Sequence, residues 1–348
     1  MIKLLISNGK STYDITQLVQ AITWSGDYQQ CARTLEFNLL SSNTDKNVPT
    51  APCDLGNAVT FMQDNKTLFQ GYIFERQRDT GKSIINITCY DKGIYLKKNE
   101  ATYKFKGITP EAITKKICAD FDIDIGLIAT TGVNITRNFV GVNLYRIIQT
   151  AYTLAADKTG KSYLIRFNGS KLCVVEKGIT DETMIISAGN NLMSATMSES
   201  ITNMVNQVAI YDDKDKLVSI QKNQELIKLY GVMQSYLKKT KGIDAIAKAN
   251  KILKDNGVSQ KIIINNLGNV ANITGNAVVV QEPYTGLYGL FYIDSDVHTW
   301  KLGQYYNKLV LNFKNIMDEQ EAGSLPNKDG SITGDWDYIY KPGGIRNG

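Results

Sequence analysis

Three residues suited to chemistry lie close together near the C-terminal end of the sequence. Asp294, Asp296 and His298 alternate along a predicted strand, which places their side chains on one face. Two carboxylates and an imidazole arranged in this way can bind a metal ion, and a histidine can transfer protons near neutral pH. The pattern is also typical of a polar strand edge ahead of a turn, with His298, the single histidine, packed beside Trp300. We favour this second interpretation and predict no metal site.

A second acidic pair, Asp122 and Asp124, has the residue types that glycoside hydrolases use, where two carboxyl groups face each other across a cleft. The pair follows a predicted helix in a turn, which indicates solvated side chains. The sequence contains no Gly-x-x-x-x-Gly-Lys-Ser/Thr phosphate loop, no nucleophile-elbow serine and no dinucleotide fingerprint. We therefore predict a protein that is not an enzyme, with no catalytic residue and no cofactor.

Aromatic side chains point to protein binding instead. Trp24 lies in the polar stretch TWSGD, where a core residue is less expected, and tryptophan is enriched at the energetic centres of interfaces. Trp24, His298 and Trp300 are therefore candidate protein-interface residues. For Trp24 itself, an ordinary core position is slightly favoured over an interface.

Composition sets the class of protein. Of the 348 residues, 43% are hydrophobic and 21% charged, values typical of a soluble protein of two or three domains. No apolar run approaches the roughly 20 residues of a membrane-spanning helix, and no secretory signal is recognisable. The net charge of +5 comes from lysines interleaved with acids, which argues against binding nucleic acid or membrane. The five cysteines form no Cys-x-x-Cys pair and are predicted to be reduced and buried.

Strands dominate the predicted elements, so the predicted fold class is α+β, mainly β, with two similar β-barrels. Residues 1–102 form the first barrel, in which Asn8-Gly9 suits a tight hairpin turn. Residues 181–317 form the second barrel, with a helical insertion near 242–256. One side of that helix is expected to carry Ile243, Ile246, Ala247, Asn250 and Leu253.

Between the barrels, residues 103–180 are predicted to form a small α/β insert domain. One of its helices has an apolar stripe that begins at Leu144 and stops before Gly160. A hairpin that turns at Asn168-Gly169 follows.

The C-terminal residues 318–348 are rich in Gly, Asp, Asn and Lys. We expect a flexible C-terminal tail in which only Trp336, Tyr338 and Tyr340 are suited to burial.

A repeated motif indicates that the two barrels are related. Gly56-Asn57-Ala58-Val59 recurs as Gly275-Asn276-Ala277-Val278, and the spacing to Gly71 in the first copy is similar to the spacing to Gly289 in the second. Closed homo-oligomers are symmetric, so a trimer of a chain with two similar barrels displays six similar surfaces. Such a ring can join a three-fold object to a six-fold one.

Several motifs, in their order along the chain, resemble baseplate hub proteins of contractile phage tails and R-type bacteriocins, in the branch found in PBSX-type defective prophages. The likeness runs from about Ile15 to Phe313. The motifs are Trp24-Ser-Gly-Asp27, Ala32-Arg33-Thr-Leu-Glu-Phe37, Leu68-Phe-Gln-Gly71, Cys89-Tyr-Asp-Lys92, Tyr95-Leu96-Lys-Lys-Asn99, Met204-Val-Asn206 and Phe291 to Trp300.

The resemblance implies a structural hub, similar to the late-control-D type, that acts as a trimeric adapter in the baseplate. The implied partners are two further copies in a homotrimer, the hexameric tail tube protein, the central spike protein and other baseplate proteins. Assembly is expected in the cytoplasm of a bacterial host, followed by release in the baseplate of the tail particle, whether a phage, a tailocin or another contractile injection system.

Two other functions stay open. A tail-associated cell-wall hydrolase would need a cleft with perturbed acids, for which Asp294, Asp296 and His298 are the candidates. An oligonucleotide-binding barrel would need a basic groove lined with stacking aromatic side chains, and the dispersed charge argues against it.

Overall fold

The structure, a computed structural model, describes residues 1–41, 47, 51–79, 83–179, 184–239 and 244–325. It divides into two compact units, one formed by Met1–Ser194 with Ile264–Gly348 and the other by Ala195–Ile263. The fold is mainly β, as predicted. No helix among these described residues is long and apolar enough to span a membrane.

The N-terminal part of the chain contributes seven neighbouring antiparallel strands to one large sheet, which has 13 strands among the described residues. Alternating apolar side chains form the core of this part. Leu35, Phe37 and Leu39 are buried on one face of their strand, while Glu36 is exposed. The strands are β1 (Ile2–Ser7), β2 (Thr12–Asp14), β3 (Val19–Asp27), β4 (Thr34–Leu40), β5 (Ala58–Gln63), β6 (Lys66–Arg78) and β7 (Ile84–Asp91).

The next elements form the insert, whose core is separate from that of β1 to β7. The long helix ends before Gly160, as predicted, and this glycine is in a left-handed conformation. At the other end Asn143 caps the helix by accepting a hydrogen bond from the Arg146 N–H. The elements are α1 (Gly93–Lys98), β8 (Glu100–Ile108), α2 (Pro110–Asp120), β9 (Ile125–Ile128), β10 (Ile135–Asn143), α3 (Leu144–Thr159), β11 (Tyr163–Asn168) and β12 (Lys171–Glu176).

The C-terminal half contains nine strands and two helices within the described residues. They are β13 (Met184–Ser187), β14 (Leu192–Ser200), β15 (Gln207–Tyr211), β16 (Leu217–Lys222), α4 (Gln224–Tyr230), β17 (Gln234–Lys238), α5 (Ala245–Asp255), β18 (Ser259–Leu267), β19 (Ala277–Glu282), β20 (Leu287–Lys301) and β21 (Gln304–Asn312). The strands β15, β16 and β17 form a sheet of their own in the second unit.

Two groups of six strands match in their order along the chain and across the large sheet. The order is β3-β4-β7-β6-β5-β1 in the first repeat and β14-β18-β21-β20-β19-β13 in the second. The Gly56 N–H donates to the Ile73 carbonyl at 2.8 Å, and the Gly275 N–H donates to the Ile293 carbonyl at 3.0 Å. The pairing of β6 with β7 and that of β20 with β21 both shift register directly after these isoleucines. The predicted internal repeat is therefore present in the strand order. The outermost strand differs in direction, because β1 runs antiparallel to β5 whereas β13 runs parallel to β19.

The predicted equivalence of Gly71 with Gly289 is wrong. Gly71 pairs with Val59, whereas Gly289 pairs with Val280, two residues beyond the equivalent Val278. The turn between β19 and β20 is also longer than the two-residue turn between β5 and β6. The strand pairings among the described residues do not close into a barrel, so the two-barrel arrangement stays a prediction.

The predicted helical insertion is a small α/β unit, because Ala195–Ile263 contains a three-stranded sheet as well as α4 and α5. The residues expected on one side of the helix have different environments, because Ile246, Ala247 and Asn250 are exposed whereas Leu253 packs against the core of this unit. Asp244 caps α5 through the N–H groups of Ile246 and Ala247, so Ile243 precedes the helix and lies outside the described residues. Ile246 is 51% exposed, and the helix is instead packed through Ala245 and Ala249, one turn apart.

The chain after β21 is packed against the insert as far as Ser324, so the predicted tail boundary at 318 is too early. Asp318 accepts a hydrogen bond from the Tyr145 hydroxyl at 2.6 Å. Asn138 and Ser324 exchange two backbone hydrogen bonds of 2.8 Å. Met317 and Ala322 supply apolar side chains to the insert core. The rest of the predicted tail, with Trp336, Tyr338 and Tyr340, lies outside the described residues.

Candidate functional site

The predicted interface residues Trp24, His298 and Trp300 meet where the two repeats join. β3 pairs with β20, and Trp24 lies opposite His298 with their ring centroids 4.8 Å apart. Trp300 packs in the core of the first repeat, edge-on to Phe61 at 4.7 Å. The three side chains are 5%, 0% and 6% exposed. A core position is therefore confirmed for Trp24, and contact of these residues with a partner protein stays a prediction.

His298 packs beside Trp300, as predicted, with the two rings stacked at 6.0 Å. The prediction of a polar strand edge is wrong, because β20 lies between β3 and β21. The Asn307 amide donates to His298 Nδ1 at 2.9 Å, while Nε2 lies 3.1 Å from an oxygen of Asp296. Because the Asn307 NH2 group can only donate, Nδ1 accepts this hydrogen bond and Nε2–H donates to Asp296.

Asp296 is fully buried beneath this histidine and is paired with Arg33. Both guanidinium Nη atoms donate to the carboxylate, one of them at 3.0 Å. The Thr274 N–H and hydroxyl donate to Oδ1 at 2.6 and 2.7 Å. Burial raises the pKa of Asp296, but the charge of Arg33 and the hydrogen bond from His298 outweigh burial and hold that pKa far below its ordinary value.

Arg33 also links this cluster to a second buried carboxyl group. Its backbone N–H donates to Asp91 at 3.0 Å, and the Gly93 N–H donates to the other oxygen at 2.8 Å. Burial raises the pKa of Asp91 to about 7, although these two N–H groups and the charge of Arg33 act against it.

Asp294, two residues before Asp296, has a different cationic partner. Lys177, directly after β12, donates to it at 2.6 Å and also donates to the Ile316 carbonyl at 2.8 Å. The Asn312 amide donates to the other carboxylate oxygen at 2.9 Å. Burial lowers the pKa of Lys177, partly offset by the charge of Asp294. This ion pair ties the second repeat to the end of the insert.

The arrangement does not favour catalysis or metal binding. The oxygens of Asp294 and Asp296 are taken by cations and N–H donors, and no group of three His, Cys, Asp or Glu among the described residues is placed to hold a metal. Asp122 and Asp124 are exposed, as predicted. All five cysteines are free and buried, and burial raises the pKa of Cys118 to about 11, so its thiol is a poor nucleophile.

Sequence reasoning missed Arg33 and Lys177, which neutralise the two buried aspartates. The available signal was indirect: acids that alternate with apolar residues on a buried strand need cations or several donors. Nothing in the sequence shows which of the 39 lysines and arginines supply them, because Arg33 and Asp296 are separated by 263 positions.

Similar folds occur in solved tail proteins. The 43 kDa tail protein of prophage MuSo2 from Shewanella oneidensis is similar with a TM-score of 0.67 and 13% identity, over 89% of this chain and 98% of that one. The Escherichia coli c3393 protein is a type VI secretion component described as structurally similar to the T4 bacteriophage tail proteins gp27 and gp5. It is similar with a TM-score of 0.52 and 11% identity, over 92% of this chain and 79% of that one. The chain thus has the fold of phage-tail structural proteins.

Sequence comparison narrows the class to one family. The chain belongs to the YQBQ-like family, whose model matches residues 22–312. The phage-like element PBSX protein XkdQ of Bacillus subtilis (strain 168) is 24% identical over 328 residues, which is 92% of this chain and 99% of the relative. The predicted resemblance to the PBSX branch is confirmed. These relatives also support the interpretation that the protein is not an enzyme.

Proposed function

We propose that this protein is the structural hub of a contractile tail baseplate, a trimeric adapter that joins the hexameric tail tube to the central spike. The observation that carries the proposal is the repeated order of six strands within one chain. Three copies would present six similar sheets around an axis, which suits a junction between six-fold and three-fold structures. The similarity to tail proteins and to a protein likened to gp27 supports the same assignment.

The junction between the repeats supplies a model for contacts between copies. Within the chain, the last part of β20 pairs with β3. The equivalent strands are β6 and β14, and among the described residues neither has a second strand on the corresponding edge. The side chains of Glu75 to Arg78 on β6 are exposed. We infer that β6 of one copy pairs with β14 of the next, which would extend the sheet around the ring.

In this proposal, residues 1–102 and 181–317 form two barrels, and residues 103–180 form the insert domain that lies between them in sequence. The remaining partners are other baseplate proteins, and the complex would assemble in the host cytoplasm before it is released in the baseplate of the particle. Neither nucleic acid nor membrane has a role.

Light scattering on the purified protein tests the proposal. The expected mass is three times the chain mass of 38.7 kDa, with interfaces above roughly 2,000 Å², as in obligate complexes. A monomer at all concentrations, alone and when mixed with the tube or spike protein, would contradict the hub.

A further inference from the structure

The junction between the repeats contains one acid–base pair at a defined position in the sheet. Asp296 on β20 lies opposite Gly26 on β3. The space beside Gly26 is filled by the Arg33 guanidinium, because a Cβ atom at this glycine would overlap Arg33 Nη1. Both Nη atoms of Arg33 donate to the Asp296 carboxylate. At this position β20 therefore presents an acid, and the first repeat presents a base to it.

The first repeat has an arginine in the place of Asp296. Each of the two is the third residue after the isoleucine at which its strand shifts register, so Arg76 on β6 corresponds to Asp296 on β20. The row of residues that contains Arg76 continues across the sheet through Ile87 to Phe37. The Arg76 side chain is 34% exposed, and Asp54, its partner in an ion pair, is 71% exposed. Arg76 is therefore an accessible cation at the edge of β6 that is proposed to meet a second copy.

The second repeat can be aligned with the first through the row that contains Asp296. The Gly268 N–H donates to the Tyr305 carbonyl at 2.8 Å, which sets the register of β18 against β21. In that register the row of Asp296 continues through β21 to Ile264. Ile264 on β18 therefore corresponds to Phe37 on β4, and both side chains are buried.

An acid and a neutral amide take the places of Gly26 and Arg33 in the second repeat. Arg33 and Gln260 each stand four residues before the aligned pair on β4 and β18, so Gln260 replaces Arg33. Two side-chain hydrogen bonds give one register of β14 against β18, from Asn265 to Ser194 at 2.9 Å and from Gln260 to Glu199 at 2.8 Å. Because Gln260 faces Glu199 in this register, Glu199 on β14 takes the place of Gly26.

We propose that Arg76 of one copy forms an ion pair with Glu199 of the next copy, where β6 meets β14. This inference rests on the proposed hub function and adds to it the register of the contact and the side chains that select it. The pairing within the chain is the template, because Asp296 meets Arg33 at the corresponding position. Between copies the same position again holds an acid and a base, with the charges in the reverse order.

The reversed order of charges distinguishes the correct strand pairings from incorrect ones. If β6 met β3 of another copy, Arg76 would lie beside Arg33. If β20 met β14 of another copy, Asp296 would lie beside Glu199. Both incorrect pairings bring like charges together, which opposes association. The charges therefore favour a closed ring in which junctions within a chain alternate with junctions between chains.

Charge reversal in the full-length protein tests this pair, and both side chains are exposed enough to be replaced without loss of the fold. In Arg76→Glu and in Glu199→Arg, like charges face each other at every contact between copies. Each variant should exchange subunits between labelled and unlabelled trimers at least about tenfold faster than the wild type. The variant with both changes again places an acid against a base, so its exchange should return to the wild-type rate.

Lys116→Glu is the matched control. Lys116 also forms an ion pair with an acid on the surface, Asp120 at 3.0 Å, but it lies on α2 of the insert. The control changes the net charge of the chain as much as Arg76→Glu does, and it should exchange subunits at the wild-type rate. All variants should keep the far-ultraviolet circular dichroism of the wild type.

Two results with a trimeric wild type would overturn the proposal: exchange at the wild-type rate in both single variants, or a folded double variant that exchanges as fast as the single ones. Either result would reject the ion pair and leave the hub function in place. A wild type that is monomeric at all concentrations, alone and when mixed with the tube or spike protein, would reject the hub function together with the pair.

Discussion

Replacing Asp296 by asparagine tests the junction between the repeats most directly. Asp296 Oδ1 accepts from Arg33 and Thr274, and Oδ2 accepts from Arg33 and lies beside His298 Nε2. An asparagine can keep its amide oxygen at the position of Oδ1. Its NH2 group would then take the place of Oδ2 and face the N–H donors of Arg33 and His298. It would also leave the guanidinium, whose side chain is 12% exposed, without its counter-charge. Breaking a buried ion pair by removing one partner costs about 3–5 kcal/mol, and we expect a loss of that size.

Guanidinium denaturation followed by tryptophan fluorescence measures this loss, since Trp24 and Trp300 report on the junction. Asp54→Asn is the matched control, because Asp54 also pairs with an arginine, Arg76 at 2.7 Å, but is 71% exposed. Exposed ion pairs contribute little, so the control should unfold at the wild-type denaturant concentration. Equal midpoints for Asp296→Asn and the wild type, or an equal loss in the control, would refute the assigned role of the buried pair.

The same variant has a defined dependence on pH. The pKa of Asp296 is lowered in the folded state, so as pH falls the unfolded chain takes up this proton first, below its ordinary pKa of about 3.9. The stabilisation by Asp296 is therefore complete above about pH 4 to 5 and is lost at lower pH. The difference in stability between wild type and Asp296→Asn should be constant at neutral pH and shrink in acid. A difference that grows in acid would contradict the lowered pKa.

Three further predictions concern the surroundings of the junction. Asp91, with a pKa raised to about 7, binds its proton more tightly in the folded state, so stability should fall as pH rises from 5 to 7; a pH series of unfolding midpoints should show that Asp91→Asn removes this slope. Lys177→Met should cost about 3–5 kcal/mol in denaturation, because it leaves Asp294 buried without its cation. Gly323→Ala should cost about 1–3 kcal/mol more than Gly132→Ala. Both glycines have positive φ, but a Cβ atom at Gly323 would meet a backbone oxygen of β10 at 2.2 Å, while Gly132 faces open space.

Local patterns predicted the elements well where one short-range rule acts. The apolar stripe that stops before Gly160 located the end of α3, because the ending of a helix at a glycine depends on neighbouring residues. The GNAV motif located the same turn in both repeats, since its glycine needs a positive φ and both copies adopt it, at 83° for Gly56 and 93° for Gly275. These features need no knowledge of tertiary structure, so the sequence is sufficient for them.

The candidate site was less predictable because its properties depend on distant partners. His298 and its two neighbouring acids were recognised as a group, yet whether they bind a metal or an arginine depends on which cation the fold brings to them. Trp24 was proposed at an interface because its neighbours in sequence are polar. In the fold, the Arg33 guanidinium carbon lies 4.0 Å from the centroid of the Trp24 ring. This contact helps to bury the indole although its neighbours in sequence are polar.

The two repeats also show how one scaffold acquires different contacts. Each has a register shift after its shared isoleucine, and the residue at that position is Phe74 in the first repeat and Asp294 in the second. Phe74 packs edge-on to Tyr90 at 5.5 Å, whereas Asp294 holds Lys177 and through it the chain after β21. Both repeats keep the register shift in the backbone, while the side chain at that position differs and so contacts a different segment of the chain. A similar contrast is present on the outer faces of the repeats, where the polar pair Thr60 and Gln70 of the first repeat takes the place of the apolar pair Val279 and Leu290 of the second.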